Sequence, residues 1–395
     1  MKAASHDAHP KNTAPRPAAK NGRLSRRECR TLLRCLAGEP PEQNCRHWQA
    51  LVDTAQRHKV AAFIAQHLDC DQLPEAASSR LQEHVGRARQ RTERAHRGLA
   101  EILAEAGRRK LSLLVFKGPA LCKMLYPQPE LRSFFDIDLL VRPAELEQAE
   151  QLLVDLNYEM TRLQPSDMYW MTGVRAEIGD NAHYDFQKSR ELWLAHHFHF
   201  PFVPLDAERS VKVDLHWALF PDVLVKLPLP DFWQRAVPIE VCGHRTLTFA
   251  PVDNLLYLCL HLSTDGYPRV RLMKLMDIVQ AGDQLAEADW RRLLEMGEEL
   301  GVEKMLFLAL CLSYRTFGRT LPKVVEEAKP TSLQMLLLNK ALSERALFSN
   351  NSPAADAAWD WILGSSGGKL MVRMLRATAR QSLEKTFLGR FILTD

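Results

Sequence analysis

Residues 111–141, LSLLVFKGPALCKMLYPQPELRSFFDIDLLV, restrict the fold more than any other part of the chain. An apolar, β-prone run from Leu111 to Phe116 breaks at Lys117-Gly118-Pro119. A short helix-like segment follows, and then a second β-prone run, Phe134 to Val141, in which two aspartates interrupt apolar residues. Side chains two apart on an extended strand share a face. Asp136 and Asp138 therefore point one way, and Phe135, Ile137, Leu139 and Val141 the other. Two such carboxylates sit about 6.5–7 Å apart at the backbone. They can converge on one or two magnesium ions about 3.5–4 Å apart, the geometry that clamps a phosphoryl group during transfer.

Length and charge frame this segment. At 395 residues the chain is too long for one small core, and two or three lobes are expected. A charged content of 25% with 46% hydrophobic residues suits an ordinary soluble globular protein. The net charge of +4 is unevenly placed, because residues 1–30 carry eight Lys/Arg against Asp7 and Glu28, leaving 44 basic and 46 acidic residues elsewhere. A nearly neutral body argues against a dedicated duplex-binding surface. The basic tail reads as a solvated, disordered arm. The eight cysteines contain no C-x-x-C pair, and several, such as Cys259 and Cys311, lie in apolar helical runs. That usage fits buried reduced thiols and a cytoplasmic location. No run reaches 18 apolar residues and no signal-type apolar region opens the chain, so neither a membrane span nor a signal peptide is expected.

Periodicity then divides the chain. Residues 1–25 form the disordered basic tail, and 26–108 an N-terminal helical lobe. In that lobe Cys29, Leu32, Leu33 and Leu36, and then Trp48, Leu51, Val52 and Ala55, fall at helical spacing. Residues 109–250 form an α+β core, a small mixed β-sheet flanked by the helical lobes. Within it Pro143 opens a helix whose apolar face is Leu146, Ala149, Leu152, Leu153 and Leu156, with Asn157 at its end. The polar stretch 160–190 reads as a long loop or small hairpin. Two further strands are expected, Leu192–Val203 and Val211–Leu219, with Asp214 and His216 on one face of the second and Val213, Leu215 and Trp217 on the other. Residues 251–395 form a C-terminal helical lobe, with helices opening at Pro251 and Tyr267-Pro268, one capped by Asp289, further helices over 331–348 and 368–388, and a flexible break at Gly364–Gly368.

Nucleotidyl transfer needs a bound triphosphate, metals held by carboxylates, and an acceptor presented in line. Gly118 sits at a strand-to-helix junction, where free N–H groups and the helix dipole favour phosphate, and Lys117 can add a point charge. Asp214, on a neighbouring strand, is the candidate third carboxylate. Arg132 can reach phosphate or form a surface salt bridge. Arg271, Lys274 and Asp277 share a helix face that could meet the triphosphate or the base. His216 can orient a carboxylate or substrate. His196, His197 and His199 lack a Cys or Glu at ligand-like spacing and read as strand residues rather than a zinc site.

These motifs carry a family likeness. FKGPALCKMLYPQPELRSFFDIDLLVRPAELEQAEQLL, VDLHW and LCLHLSTDGYPRVRLMKLMDIV, with HWQALVDTAQRHKVAAFIAQHL before them, resemble the bacterial uncharacterised nucleotidyltransferase family of the DNA polymerase β-like superfamily. The likeness covers about residues 45–285. It implies that Asp136, Asp138 and Asp214 form a two-magnesium catalytic site, and that Gly118 is the phosphate-side turn. From their own positions, Lys117, Arg132 and Lys274 are the candidate nucleotide-binding residues beside Gly118. The superfamily's usual Ser after the glycine is Pro119 here, and the Gly-to-Asp gap is longer.

The expected activity is magnesium-dependent transfer of NMP from an NTP such as ATP to a hydroxyl of an unidentified acceptor: a small molecule, a glycan precursor or a protein, with nucleic acid less favoured. The alternatives are a catalytically inactive nucleotide-binding or protein-interaction module of the same fold, and another phosphate-transfer enzyme such as a kinase.

Overall fold

The computed structural model describes residues 24–41, 45–68, 73–161, 190–191, 194, 197–206, 208, 210–221, 225–264 and 270–328. The expected tail up to residue 23, most of the loop over 160–190, His196, the Tyr267-Pro268 helix start, and the helices and break beyond 328 lie outside these residues.

Short β-prone runs, wholly apolar in the central β1 and alternating in several of the others, build a seven-stranded mixed sheet in the order β3-β4-β5-β2-β1-β7-β6. The strands are β1 (Leu114–Phe116), β2 (Asp136–Leu140), β3 (Tyr158–Met160), β4 (His199–Pro204), β5 (Lys212–His216), β6 (Val237–Val241) and β7 (His244–Thr248). At its centre β1 runs antiparallel to β2, and β2 parallel to β5. The two-residue strand period separates two cores. One face sends Val115, Ile137, Leu139, Val213 and Leu215 into a cluster with Leu99, Ile102, Leu152 and Leu153 of the helices behind it. The other face adds Leu114, Phe116 and Leu140 to a second cluster shared with the terminal helical lobes.

The N-terminal lobe is α1 (Arg26–Leu36), α2 (Trp48–Arg57), α3 (Ala61–His67) and the long α4 (Glu75–Arg109). Gly98 lets α4 press on the sheet edge, since a Cβ there would fall 1.8 Å from Ser210 Oγ and 2.8 Å from Tyr158 Oη. Within the core, α5 (Gly118–Leu125) follows β1, and α6 (Leu146–Asp155) follows a 3-10 turn at Pro143–Glu145. Helix α6 buries Leu146, Ala149, Leu152 and Leu153 as its spacing requires. After α7 (Leu229–Arg235) and the β6–β7 hairpin come α8 (Pro251–Thr264), α9 (Leu272–Gly282), α10 (Glu287–Leu300), α11 (Glu303–Thr316) and α12 (Lys323–Ala328). Asp289 is not the cap of α10: it lies in the first turn, where its carboxylate accepts the Ala286 N–H at 3.0 Å.

Two strand expectations change. The segment before His199 is helical at residues 190, 191 and 194, so β4 starts later than Leu192. The β6–β7 hairpin was not anticipated. Its turn residues Cys242 and Gly243 both have positive φ, 53° and 75°, the backbone of a tight two-residue hairpin turn. The alternation of Val237, Ile239 and Val241 was the available signal, masked by Pro238 and by a Cys where Asn or Asp usually stands.

Candidate active site

Parallel pairing of β2 with β5 places Asp138 directly opposite Asp214, and Asp136 opposite Lys212. In-register residues of adjacent strands share a face, so Asp136, Asp138, Asp214 and His216 lie on one side of the sheet. The apolar residues between them face the opposite core. Asp138 and His216 are buried, at 2% and 1% exposure, and Asp136 is half-buried at the open end of β2.

Asp138 Oδ1 receives two donors: Lys117 Nζ at 2.7 Å and His216 Nε2 at 3.2 Å. Burial alone would raise its pKa, but the Lys117 ammonium and His216 overcome that and hold the carboxyl well below the usual range. Burial raises Asp214, whose Oδ1 lies 2.9 Å from Lys212 Nζ as an ion pair yet takes no aligned hydrogen bond. His216 Nδ1 is buried with no hydrogen-bond partner among the described residues, and its ring stacks on His199 at 4.8 Å. Burial lowers the pKa of His216 and His199, so both rings are neutral near pH 7.

The turn after β1 aims Lys117 at this pair. Lys117 has φ 52° and ψ −129°, a conformation unusual for a residue with a Cβ, and it precedes the first turn of α5. Gly118 is needed for space, since a Cβ would come within 2.9 Å of the Phe134 ring. Pro119 removes one of the N–H groups that a helix N-terminus offers an anion. Gly118 and Lys117 thus stand beside the carboxylates, with one fewer backbone donor than a Ser at 119 would leave.

Arg132 is committed elsewhere in the fold. It is buried rather than at the surface, and its Nε and Nη2 donate to both oxygens of Asp277 on α9 at 2.8 and 2.7 Å. Its Nη1 donates to the Gly118 carbonyl at 3.3 Å, and Tyr126 Oη donates to Asp277 at 2.8 Å. Its link to the phosphate-side turn therefore runs through the Gly118 backbone, while its ion pair ties the core to the C-terminal lobe. Lys274, one turn before Asp277, has a pKa pushed down to about 8 by burial and by repulsion from Lys117 and Lys59. Lys274, Lys117 and Lys59 thus share one electrostatic environment.

Sequence reasoning missed two residues from the N-terminal lobe. Lys59 holds its ammonium 4.4 Å from the Phe135 ring centroid, one residue before Asp136. His58 accepts the Leu272 N–H through Nδ1 at 3.2 Å, and its carbonyl accepts the Met273 N–H at 3.3 Å. It thereby caps the first turn of α9 from another lobe. No local pattern marks either role, because each depends on a contact more than seventy positions away.

Three carboxylates on one sheet face are hard oxygen donors suited to magnesium. Among the described residues, however, no three potential ligands converge closely enough to form a cation site by themselves. Lys117 and Lys212 stand against Asp138 and Asp214 where cations would go. The donor set fits magnesium in residue type and sheet position, with ammonium groups as the present counter-charges. His197 and His199, with rings 6.1 Å apart, belong to no such cluster either.

The chain compares with known proteins in one respect. No curated protein matches it. The sequence pattern of the uncharacterised nucleotidyltransferases matches residues 44–318, spanning α2–α4 of the N-terminal lobe, the whole sheet and the helices through α11. Among the described residues no helix is long and apolar enough to cross a membrane. With more than half of its length matched, the chain belongs to the uncharacterised nucleotidyltransferase family.

Proposed function

We propose that the protein transfers NMP from an NTP to a hydroxyl of an acceptor, a small molecule, glycan precursor or protein, with magnesium held by Asp136, Asp138 and Asp214. The observation that carries this reading is the register of β2 and β5, which sets Asp138 opposite Asp214 with Asp136 on the same face, beside the Lys117-Gly118 turn. Bound there, magnesium would neutralise charge on the phosphates and polarise the phosphorus under attack. The chain's own groups do the rest. Gly118 and the start of α5 receive phosphate oxygens, and Lys117, released from Asp138, supplies a counter-charge. Lys274 adds a second. Asp214 accepts the proton of the acceptor hydroxyl as its oxygen bonds to the α-phosphorus and the bond to the leaving pyrophosphate breaks.

A second reading, a nucleotide-binding or interaction module without catalysis, draws on two observations: Pro119 at the phosphate-side turn, and the lysines that hold Asp138 and Asp214. The products separate the readings. With ATP, magnesium and cell extract, transfer releases pyrophosphate and leaves AMP on an acceptor, whereas a kinase leaves ADP. A thermal shift with ATP and magnesium but no product would favour the module.

A further inference from the structure

The N-terminal lobe contributes a cation to the site through an unusual helix ending. Helix α2 closes with the Lys59 N–H on the Gln56 carbonyl and the Val60 N–H on the Ala55 carbonyl, and Lys59 has φ 61°. This is the double hydrogen bond of a helix stop whose left-handed residue is normally glycine, because a Cβ costs about 1–2 kcal/mol there. Lys110 does the same at the end of α4, but its side chain is exposed, so the backbone alone marks no site. Lys59 differs in where its ammonium lies. It sits over the Phe135 ring at 4.4 Å and shares that ring with the Arg91 guanidinium at 4.5 Å. No carboxylate of the described residues lies within ion-pair distance of Lys59 or Arg91.

The acids near this ring are largely taken by other cations. Lys117 pairs with Asp138, Lys212 with Asp214 and Arg132 with Asp277. Asp136, and after it Asp138, are the acids whose charge acts on Lys59, and neither forms an ion pair with it. Burial, ahead of any neighbouring charge, lowers the Lys59 pKa, and an anion placed beside it would offset that penalty. A cation on an aromatic face, partly desolvated and lacking a carboxylate partner, is a ready counter-ion for phosphate.

We infer that Lys59, supported by Phe135 and Arg91, binds the β- and γ-phosphates of the nucleotide beside Asp136, so that the N-terminal helical lobe grips the triphosphate tail. The inference rests on the nucleotidyl-transfer reading, because it needs a nucleotide at the Asp136 end of β2. It makes Lys59 a residue that discriminates triphosphate from monophosphate.

The test is equilibrium binding of α,β-methylene-ATP and of AMP, each with magnesium, to the full chain and to Lys59→Gly. Glycine suits the left-handed turn, so this variant should fold at least as well as the parent while lacking the charge. The expected result is an affinity for the ATP analogue about tenfold weaker, as for loss of one charge-assisted hydrogen bond, with AMP affinity changed less than about twofold. Lys59→Arg should recover most of the analogue affinity. Arg91→Met, at an exposed position, should weaken the analogue by about twofold to threefold. Equal losses for both ligands, or unchanged analogue binding in Lys59→Gly, would overturn the assignment and leave the nucleotidyl-transfer reading standing. If the unaltered chain bound neither ligand, both would fall.

Discussion

Two buried acid–base groups lie on either side of the Gly118 turn, alike in composition and opposite in completion. In the first, Arg132 meets Asp277 through two parallel bonds, Tyr126 adds a third to the same carboxylate, and the remaining guanidinium donor reaches the Gly118 carbonyl. In the second, one oxygen of Asp138 receives both Lys117 and His216, Asp214 has an ion partner without an aligned hydrogen bond, and His216 Nδ1 has no partner. Buried polar groups in a finished core are hydrogen-bonded, and exceptions call for an explanation. The first group is a fastener between lobes. The second keeps polar atoms without partners among the described residues, as the proposed nucleotide site would require.

The difference can be broken by substitution. Asp277→Leu leaves a buried guanidinium without its carboxylate and should cost about 3–5 kcal/mol of stability in denaturant unfolding. The double change Arg132→Met/Asp277→Leu should recover most of that loss, since a buried pair replaced by apolar groups is often neutral. Asp214→Asn should do the reverse of the single change: stability within about 1 kcal/mol of the parent, because a desolvated and poorly satisfied carboxylate is removed, and nucleotidyl transfer lower by about a hundredfold or more. Asp214→Asn as damaging to stability as Asp277→Leu would erase the contrast.

Acid should act in part through His58, which holds the start of α9 from the N-terminal lobe. Burial first, then repulsion from Arg271 and Arg57, holds His58 at a pKa of about 3 against an ordinary 6.5. The unfolded chain binds this proton below about pH 6.5 and the folded chain refuses it. The contribution is therefore fully present above about 6.5 and is lost as pH falls toward 3, at about 1.4 kcal/mol per pH unit for one group. Depressed His199 and His261 act in the same direction. His58→Asn, which keeps an acceptor near the position of Nδ1, should flatten the acid limb of stability against pH; an unchanged slope would remove His58 from the account. Gly118→Ala should cost about 1–3 kcal/mol, because an added Cβ would meet Cβ and Cγ of the buried Phe134, the root of that side chain rather than its free end; a loss under about 0.5 kcal/mol in denaturant unfolding would show that the turn has room to spare.

The face-sharing of Asp136 and Asp138, the α6 stripe and the start of α8 at Pro251 were legible because each depends on spacing within one element. Asp214 was legible as a candidate from VKVDLHW, but its position opposite Asp138 is a property of strand register that only the folded sheet displays. Arg132 shows the limit of local reading. An arginine four residues before the Asp-x-Asp strand looks available to phosphate until Asp277, 145 positions later, is seen to occupy it. Lys59 and His58 were hidden for the same reason, and the β6–β7 hairpin because its turn uses Cys242 where the usual signal is Asn or Asp.

The most direct test is incubation of the chain with α-labelled NTPs, magnesium and cell extract, beside the Asp136→Ala/Asp138→Ala variant shown to be folded. Label should pass to an acceptor only with the intact pair, with pyrophosphate released in equal amount. Equal labelling by the two proteins would contradict the assignment of these carboxylates, and with it the proposed chemistry.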